Sequence, residues 1–185
     1  MHSSVIQLWN GERFDLLDPD PAVMNPEVIA HALANLCRFN GHVLTFYSVA
    51  EHSIMVSEEV PHVFAMAGLM HDAAEAFIGD VTSPLKHMLP DLKVIENRIM
   101  QRLGERYKFD PCIKIVKWVD RQVTATEKRD LMYDGTPWED YPRPLDRRIK
   151  PTTRMEAFSA FIRRFTELGG DWGPSWGWRT SSGSP

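Results

Sequence analysis

Apolar residues recur at helical spacing along most of the chain and alternate with polar residues only near the N-terminus. Residues 5–16 alternate around Asn10-Gly11, which predicts a small β-hairpin closed by a two-residue turn with both turn residues at positive φ. Six later stretches carry the three-to-four-residue period of an amphipathic helix. The pattern therefore predicts an all-α architecture with one minor N-terminal hairpin.

Local signals set the boundaries of the predicted helices. Asn25 is a typical N-cap before a proline, and Ser48 with Glu51 forms a capping box. The predicted helices are residues 25–41, residues 48–60, a stretch through His71 that ends at Gly79, and residues 91–107, 113–133 and 154–168. Ser83-Pro84 is expected to begin a turn, and residues 134–153 to form an ordered loop.

Composition narrows the class of protein. The length of 185 residues predicts one domain, residues 1–168, followed by a Gly/Trp/Ser-rich tail, residues 169–185, that we expect to be flexible. A net charge of −4 gives no case for binding a nucleic-acid polymer, and the apolar runs are too short to predict a membrane span. Cys37 and Cys112 lack metal or redox spacing, so we expect small core residues and a cytoplasmic protein.

Ionisable residues concentrate in one apolar, alanine-rich stretch. His71 and Asp72 are adjacent, Glu75 follows His71 by one helical turn, and Asp80 comes just after a glycine. Burying such groups costs several kcal/mol each unless a metal ion, a partner or a ligand compensates. This stretch is therefore the candidate centre of the chemistry.

Two residues elsewhere complete a possible ligand set for a metal ion. His52 lies near the start of the capped helix, and Asp120 lies on the long later helix. Alone, the histidine is more often a hydrogen-bonded helix residue and the aspartate a surface carboxylate. Together with His71 and Asp72 they provide two imidazoles and two carboxylates, which suit Zn, Mn, Co, Ni or Fe(II).

The order of these residues resembles a known family. His52, then His71-Asp72, then Asp120 is similar to the H…HD…D pattern of HD-domain phosphohydrolases, in which it binds a catalytic divalent metal within a helical bundle. The run from His71 to Lys86 resembles the H-D-x-x-E…x-D…P-x-K run of small bacterial and phage members. That group includes 5′-deoxynucleotidases and dATP triphosphohydrolases.

The resemblance extends over residues 5–168. Arg38-Phe39 resembles the arginine-aromatic element that precedes the first metal histidine in those enzymes. The 5′-deoxynucleotidases have tryptophan at the aromatic position. A phenyl ring can stack on a sugar or base but lacks the indole N–H donor, which leaves the substrate preference open.

The resemblance implies a fold and a reaction. The fold would be an HD-domain helical bundle. The reaction would be the attack of a metal-activated water that removes phosphate from a dNMP, or triphosphate from a dNTP such as dATP. Glu75 would position or deprotonate that water, and Asp80 would be a second acid/base or sugar contact. Four residues would bind the substrate: Arg38, Phe39, Lys86 and Lys117.

The resemblance also implies a cofactor and an assembly. One divalent metal is expected, and Mn, Co, Zn, Mg, Ni and Fe are not distinguished. A nucleotide is the expected small-molecule partner, and a homo-oligomer, dimer or hexamer, the expected state. Two alternatives remain open: a nucleotide-binding HD regulator with little turnover, and an HD phosphodiesterase.

Overall fold

The computed structural model describes residues 4–171, which are mostly helical. Two antiparallel strands come first, β1 (Val5–Gln7) and β2 (Arg13–Asp15). Eight α-helices follow within the described residues: α1 (Pro26–Asn35), α2 (Val49–Glu59), α3 (Ala65–Met70), α4 (Glu75–Ile78), α5 (Ser83–Met88), α6 (Pro90–Tyr107), α7 (Lys114–Leu131) and α8 (Arg154–Glu167). The predicted fold class, mostly α-helical with a minor N-terminal hairpin, is confirmed.

The hairpin forms where predicted, but its turn is longer. The Leu8 N–H donates to the Glu12 carbonyl at 2.8 Å, and the Gly11 N–H donates to the Leu8 carbonyl at 3.0 Å. Gly11 has a φ of +89°, whereas Asn10 does not have a positive φ. The two-residue turn was therefore wrong: the strands are joined by a three-residue loop with glycine in the left-handed position.

The connection after α1 differs from its prediction. The helix ends at Asn35, so the expected end at Gly41 was wrong. Cys37 instead forms an isolated antiparallel β-bridge with Ser48, the N-cap of α2. This pairing between distant backbone segments ends the helix and puts Arg38 beside the start of α2.

The predicted helix through His71 is interrupted. The Ala73 N–H donates to the Met70 carbonyl at 3.0 Å, and the Glu75 N–H donates to the Asp72 carbonyl at 2.9 Å. Each bond joins an N–H group to the carbonyl group three residues earlier, as in a 3₁₀-helix. The chain between α3 and α4 is therefore wound more tightly than an α-helix. His71 and Asp72 therefore lie at a junction rather than in the middle of a regular helix.

The remaining predictions concern the turn at Ser83-Pro84, the loop 134–153, the two cysteines and the C-terminal tail. The turn expected at Ser83-Pro84 is the first turn of the short helix α5, where proline is tolerated. Residues 134–153 form neither helix nor strand, as predicted. Cys112 is exposed, so its assignment as a core residue was wrong, and Cys37 is half-buried. The predicted tail lies outside the described residues from position 172 onward.

The apolar side chains form two packed clusters. The first joins the hairpin with α1, α6 and α8 and includes Phe14, Leu33, Ile99, Phe161 and Phe165. The second lies between α2 and α7 and includes Val56, Val119, Val123 and Leu131. Helices α2 and α3 contribute buried residues to both clusters, so the segments that carry the two histidines are well supported on two sides.

A glycine allows α2 and α3 to approach closely. A Cβ atom built on Gly68 would lie 3.0 Å from the Cα atom of Ser57 on α2. Because that separation is shorter than an ordinary contact, any larger residue would push the two helices apart. The close packing brings His52 of α2 next to His71 at the end of α3.

No helix within the described residues is both long and apolar enough to cross a bilayer.

Candidate metal centre

Three side chains bring ligand atoms to one point. His52, His71 and Asp72 each offer one such atom, and these atoms lie within 4.8 Å of one another. The two Nε2 atoms are 3.2 Å apart, and Asp72 Oδ2 is 3.2 Å from His71 Nε2 and 3.6 Å from His52 Nε2. An ion about 2.1 Å from each donor would separate the donors by roughly 3–3.5 Å. The group could therefore hold a metal ion.

Asp120 approaches the same point from α7. Its Oδ1 lies 3.1 Å from His52 Nε2 and 3.8 Å from His71 Nε2. The Thr124 hydroxyl, one helical turn later, donates to the same oxygen at 3.3 Å. The structure thus brings together all four residues predicted as ligands, although metal binding by the full set stays a prediction.

The second nitrogen of each histidine is held by an acceptor. His52 Nδ1 lies 2.7 Å from Glu127 Oε1, and His71 Nδ1 lies 2.8 Å from the Gly68 carbonyl oxygen. A carboxylate or a carbonyl can only accept, so each Nδ1 carries the proton. Neutral imidazoles in this arrangement direct their Nε2 lone pairs at the cluster, as metal-binding histidines do.

Glu127 is a functional candidate that the sequence analysis missed. Its side chain is fully buried, and Arg38 donates to its Oε2 from Nη2 at 3.0 Å and from Nε at 3.3 Å. Burial alone would raise the pKa of Glu127, but the charges of Arg38 and His52 outweigh burial and lower that pKa. The available signal was spacing: Asp120, Thr124 and Glu127 follow at i, i+4 and i+7 on one face of α7.

Charges within the cluster stabilise each other. Burial opposes a charged imidazole, yet Asp72 and Asp120 raise the pKa of His71 well above its usual value. Burial likewise opposes charge on Asp72, but His71 and then His52 lower the pKa of that carboxyl. A metal ion would have to displace protons from the imidazoles, so its binding would weaken at acid pH.

Glu75 lies on the other side of the cluster and is only partly paired. Lys86 Nζ donates to Glu75 Oε1 at 2.8 Å and to Glu96 Oε1 on α6 at 2.7 Å. The second oxygen of Glu75, Oε2, is buried and has no hydrogen-bond partner among the described residues. Burial and the charge of Asp72 raise the pKa of Glu75 to about 8, although Lys86 acts against them.

The contacts with Glu75 and Glu96 favour the charged form of Lys86. Burial alone would favour its neutral form, but Glu75 and Glu96 raise the pKa of Lys86 above its usual value. The ammonium group therefore stays charged between the two carboxyl groups. Lys86 fixes the position of Glu75 through one oxygen and leaves the other available.

A cavity of about 930 Å³ opens over the cluster. Most of the predicted site residues line it: Arg38, Phe39, Asp72, Glu75, Asp80, Lys86 and Asp120. At Asp80, burial raises the pKa and the nearby charge of Asp72 raises it further, whereas Arg38 lowers it. Lys117 is exposed and does not line the cavity, so the structure does not bring this predicted substrate contact to the others.

The outer part of the cavity is lined by residues that the sequence analysis did not assign. They include His42, His87, Arg121, Met132, Trp138 and Tyr141. Two of these are aromatic and come from the irregular segment after α7. The cavity therefore has a charged floor and a partly aromatic mouth.

Two known proteins are similar to this chain, and both are described as uncharacterized. The chain is 40% identical over 172 residues to the protein YfdR of Escherichia coli K12, and the match covers 89% of this chain and 96% of YfdR. It is also 40% identical over 89 residues to a protein of Rhodobacter capsulatus. This match covers 43% of this chain and 45% of that protein. No protein-family model matches the chain. At this identity and coverage, the chain belongs to the same protein family as YfdR.

Proposed function

We propose that this protein is a divalent-metal-dependent phosphohydrolase of the HD type that removes phosphate from deoxynucleotides. This proposal rests on the convergence of ligand atoms from His52, His71, Asp72 and Asp120, of which the two carboxylates also line a cavity. The order of these residues along the chain resembles the ligand pattern of HD-domain phosphohydrolases. A structural role alone would not need four ionisable groups beside an open cavity.

The donor set fits a divalent transition metal. Two imidazole nitrogens and two carboxylate oxygens suit Zn, Mn, Co, Ni or Fe(II) better than a thiolate-preferring ion. The hydrogen bonds that His52 Nδ1 donates to Glu127 and His71 Nδ1 donates to the Gly68 carbonyl fix both imidazoles in the tautomer that binding requires. A bound cation would supply positive charge to a phosphoryl group and lower the pKa of a water molecule.

Glu75 is the proposed general base. It lines the cavity, its Oε1 is held by Lys86, and its buried Oε2 has no hydrogen-bond partner among the described residues, so this oxygen is the proposed proton acceptor. A carboxyl group whose pKa is raised towards neutrality is a stronger base than an ordinary glutamate once it is ionised. Asp80, on the same wall, is the proposed second acid/base or sugar contact.

Cations at the floor are the proposed phosphate contacts. Arg38 binds Glu127 through Nε and Nη2, while its Nη1 lies 3.8 Å from Asp72 Oδ2. The remaining donors of Arg38 can stabilise charge that develops on a phosphoryl oxygen. Lys86 also lines the cavity and is the second proposed cation, whereas Lys117 is exposed and does not line the cavity.

The test is phosphate release from a panel of substrates. The full-length chain is incubated with the four dNMPs, the four dNTPs and the matching ribonucleotides in the presence of Mn²⁺, Co²⁺, Mg²⁺ or Zn²⁺. We expect release of phosphate or triphosphate from deoxynucleotides, abolished by EDTA. The His71→Ala and Asp72→Asn variants should lose both bound metal and activity because each removes a proposed ligand.

The matched control is His62→Ala. His62 is exposed on the 3₁₀ turn before α3 and does not line the cavity, so its loss should leave activity unchanged. Release from no substrate with any metal would overturn the enzymatic proposal. Nucleotide binding without release would favour the regulator. Hydrolysis of cyclic nucleotides to linear monophosphates, with no phosphate released from the panel, would favour the phosphodiesterase.

A further inference from the structure

We propose that Trp138 and Tyr141, the aromatic wall at the cavity mouth, form the subsite that receives the nucleobase. This inference rests on the proposed function, because it assigns the end of the substrate that lies away from the phosphate. Neither residue belongs to the ligand cluster or to the two apolar clusters of the core. Both line the cavity.

The rings form a continuous surface with Phe39. The Trp138 and Tyr141 ring centroids are 5.0 Å apart, and the Phe39 and Trp138 centroids are 6.2 Å apart in an edge-to-face arrangement. Trp138 remains 37% exposed although it has aromatic neighbours on two sides. The exposed surface can stack on a planar ligand.

The segment that carries the wall is held in place by α7. Four side chains of α7 donate to backbone carbonyl groups after the helix: Arg121 to Asp140, Gln122 to Arg143, Lys128 to Asp134 and Arg129 to Leu145. These bonds satisfy backbone groups of a segment that has neither helix nor strand. Because α7 also carries Asp120, the same helix fixes the wall relative to the candidate metal centre.

Two cations pack on the rings of the wall. The guanidinium carbon of Arg121 lies 5.1 Å from the Tyr141 ring centroid, and Lys128 Nζ lies 5.7 Å from the Trp138 ring centroid. Such cation–π contacts favour one orientation of each ring. The wall is therefore positioned before any ligand arrives, which lowers the entropic cost of binding.

Backbone strain at Phe39 supports the same arrangement. Phe39 and Asn40 have φ values of 54° and 50°, in the left-handed region that non-glycine residues avoid. The left-handed conformation is unfavourable for a residue with a bulky side chain, so the surrounding structure must impose it. The conformation occurs directly after Arg38, where the chain turns from the charged floor towards the aromatic mouth.

The two ends of the cavity match the two ends of a nucleotide. The carboxylates of Asp72 and Asp120 and the guanidinium of Arg38 line the cavity where a phosphate would meet the proposed metal. Aromatic rings occupy the mouth, where stacking adds affinity for a base and tolerates different bases, because every base has a π-face. The wall therefore provides affinity for a nucleobase with only modest discrimination among the four.

The test compares a nucleotide with the same phosphate lacking its base. Dissociation constants for dAMP, dCMP, dGMP, TMP and 2-deoxyribose 5-phosphate are measured by titration calorimetry in EDTA, which prevents turnover. We expect the wild-type protein to bind the nucleotides at least 10-fold more tightly than the sugar phosphate. Trp138→Ala should remove most of this preference and leave the affinity for the sugar phosphate unchanged.

Two further variants control for folding. Trp138→Phe keeps a stacking ring and should retain most of the preference. Tyr133→Ala alters a residue of the same segment that is 95% exposed and does not line the cavity, so it should behave as wild type. With a metal that supports turnover, Trp138→Ala should raise KM for deoxynucleotides about 10-fold and change kcat little.

Two results would overturn the inference. One is wild-type protein that binds nucleotides no better than 2-deoxyribose 5-phosphate, including the case in which neither binds. The other is a preference that persists in Trp138→Ala. A base-dependent affinity in a protein that releases no phosphate would instead refute the proposed hydrolysis and leave the nucleobase subsite standing.

Discussion

Two buried glutamates flank the candidate metal centre, and each is paired with a cation, but their environments differ. Glu127 is contacted by His52 Nδ1 through one oxygen and by two nitrogens of Arg38 through the other. Glu75 receives one hydrogen bond from Lys86, and its second oxygen has no partner among the described residues. Accordingly the pKa of Glu127 is lowered, whereas that of Glu75 is raised to about 8.

The difference shows that burial and a cationic neighbour do not by themselves determine what a carboxyl group does. Burial opposes charge on both, and the outcome depends on the remaining contacts. Glu127 gains two cationic or proton-donating partners and stays charged. Glu75 faces the carboxylates of Asp72 and Asp80 and has a free oxygen, so it can exchange a proton. We therefore assign Glu127 to positioning His52 and Glu75 to the chemical step.

The largest effect is expected for Glu75→Gln. A glutamine can still accept from Lys86 but cannot take a proton, so kcat should fall by about 10²–10⁴-fold. Affinity for Mn²⁺ should change little, because the oxygens of Glu75 are not part of the ligand cluster. Phosphate release and metal titration of the same preparations measure the two quantities. The control is Glu105→Gln, an exposed glutamate on α6.

A variant Glu75→Gln with near wild-type kcat would remove Glu75 from the proposed chemistry. A loss of metal as large as the loss of activity would place it in the positioning role assigned to Glu127. Either result would abolish the distinction between the two glutamates.

The next effect is expected for Glu127→Gln, and it should appear in metal affinity. Loss of the carboxylate that orients His52 should weaken Mn²⁺ binding by about 10–100-fold. Raising the Mn²⁺ concentration should restore most of the activity, which distinguishes this variant from Glu75→Gln. Titration calorimetry and phosphate release at several metal concentrations measure the effect.

Glu127→Gln should also lower the stability of the fold, and this effect can be separated from the effect on metal affinity. The change leaves the buried Arg38 without its main counter-charge, which costs about 3–5 kcal/mol when such a pair is broken. Glu127→Asp keeps the charge but shortens the side chain, so it should be more stable than Glu127→Gln and still bind metal weakly. Unaltered metal affinity in both variants would show that Glu127 does not position His52.

The sequence predicted the elements that depend on local signals. The caps at Asn25 and Ser48 form as expected, because each needs only residues within a few positions. The end of α1 was wrong because it depends on the bridge between Cys37 and Ser48, which lie on separate segments. The interruption at His71 was also missed, since an alanine-rich run is equally compatible with a continuous helix.

The candidate site was predictable only in part, for a similar reason. His52, His71, Asp72 and Asp120 could be selected because their order resembles a family pattern. Glu127 was not selected, although it shares a face of α7 with Asp120, because a glutamate on a helix is usually solvated and its partner Arg38 lies 89 positions away. Residues of the aromatic wall were missed because their position depends on how the segment after α7 packs on that helix.

The two glutamates should also give opposite pH dependences of stability. The folded-state pKa of Glu75 is raised from 4.5 to about 8, so the unfolded chain ionises first as the pH rises. Glu75 should therefore destabilise the metal-free protein increasingly between pH 4.5 and 8, and Glu75→Gln should remove this decline. Each pKa unit corresponds to about 1.4 kcal/mol, so we expect a difference of at least ~1 kcal/mol.

Glu127 should act in the other direction. Its folded-state pKa lies below 4.5, so its stabilisation is complete above pH 4.5 and is lost as the pH falls through the folded value. Urea unfolding in EDTA between pH 4 and 8 measures the effect of Glu75, and extending the series below pH 4 measures that of Glu127. If the stability of the wild type and of Glu75→Gln changed in parallel over this range, the raised pKa of Glu75 would be refuted.

The smallest effect is expected from Glu96→Gln, which sharpens the contrast by changing only the shared cation. Lys86 donates to Glu96 at 2.7 Å and to Glu75 at 2.8 Å, so loss of the Glu96 charge leaves Lys86 to neutralise Glu75 alone. The pKa of Glu75 should fall, and the rise of kcat/KM with pH should shift to lower pH by less than one unit. Lys86→Met should shift the same rise to higher pH, because it removes the cation that favours ionised Glu75. Profiles of kcat/KM from pH 5 to 9 distinguish the cases. Shifts in the same direction would mean that Lys86 does not control the ionisation of Glu75. They would also mean that the free oxygen of Glu75 is not the proton acceptor.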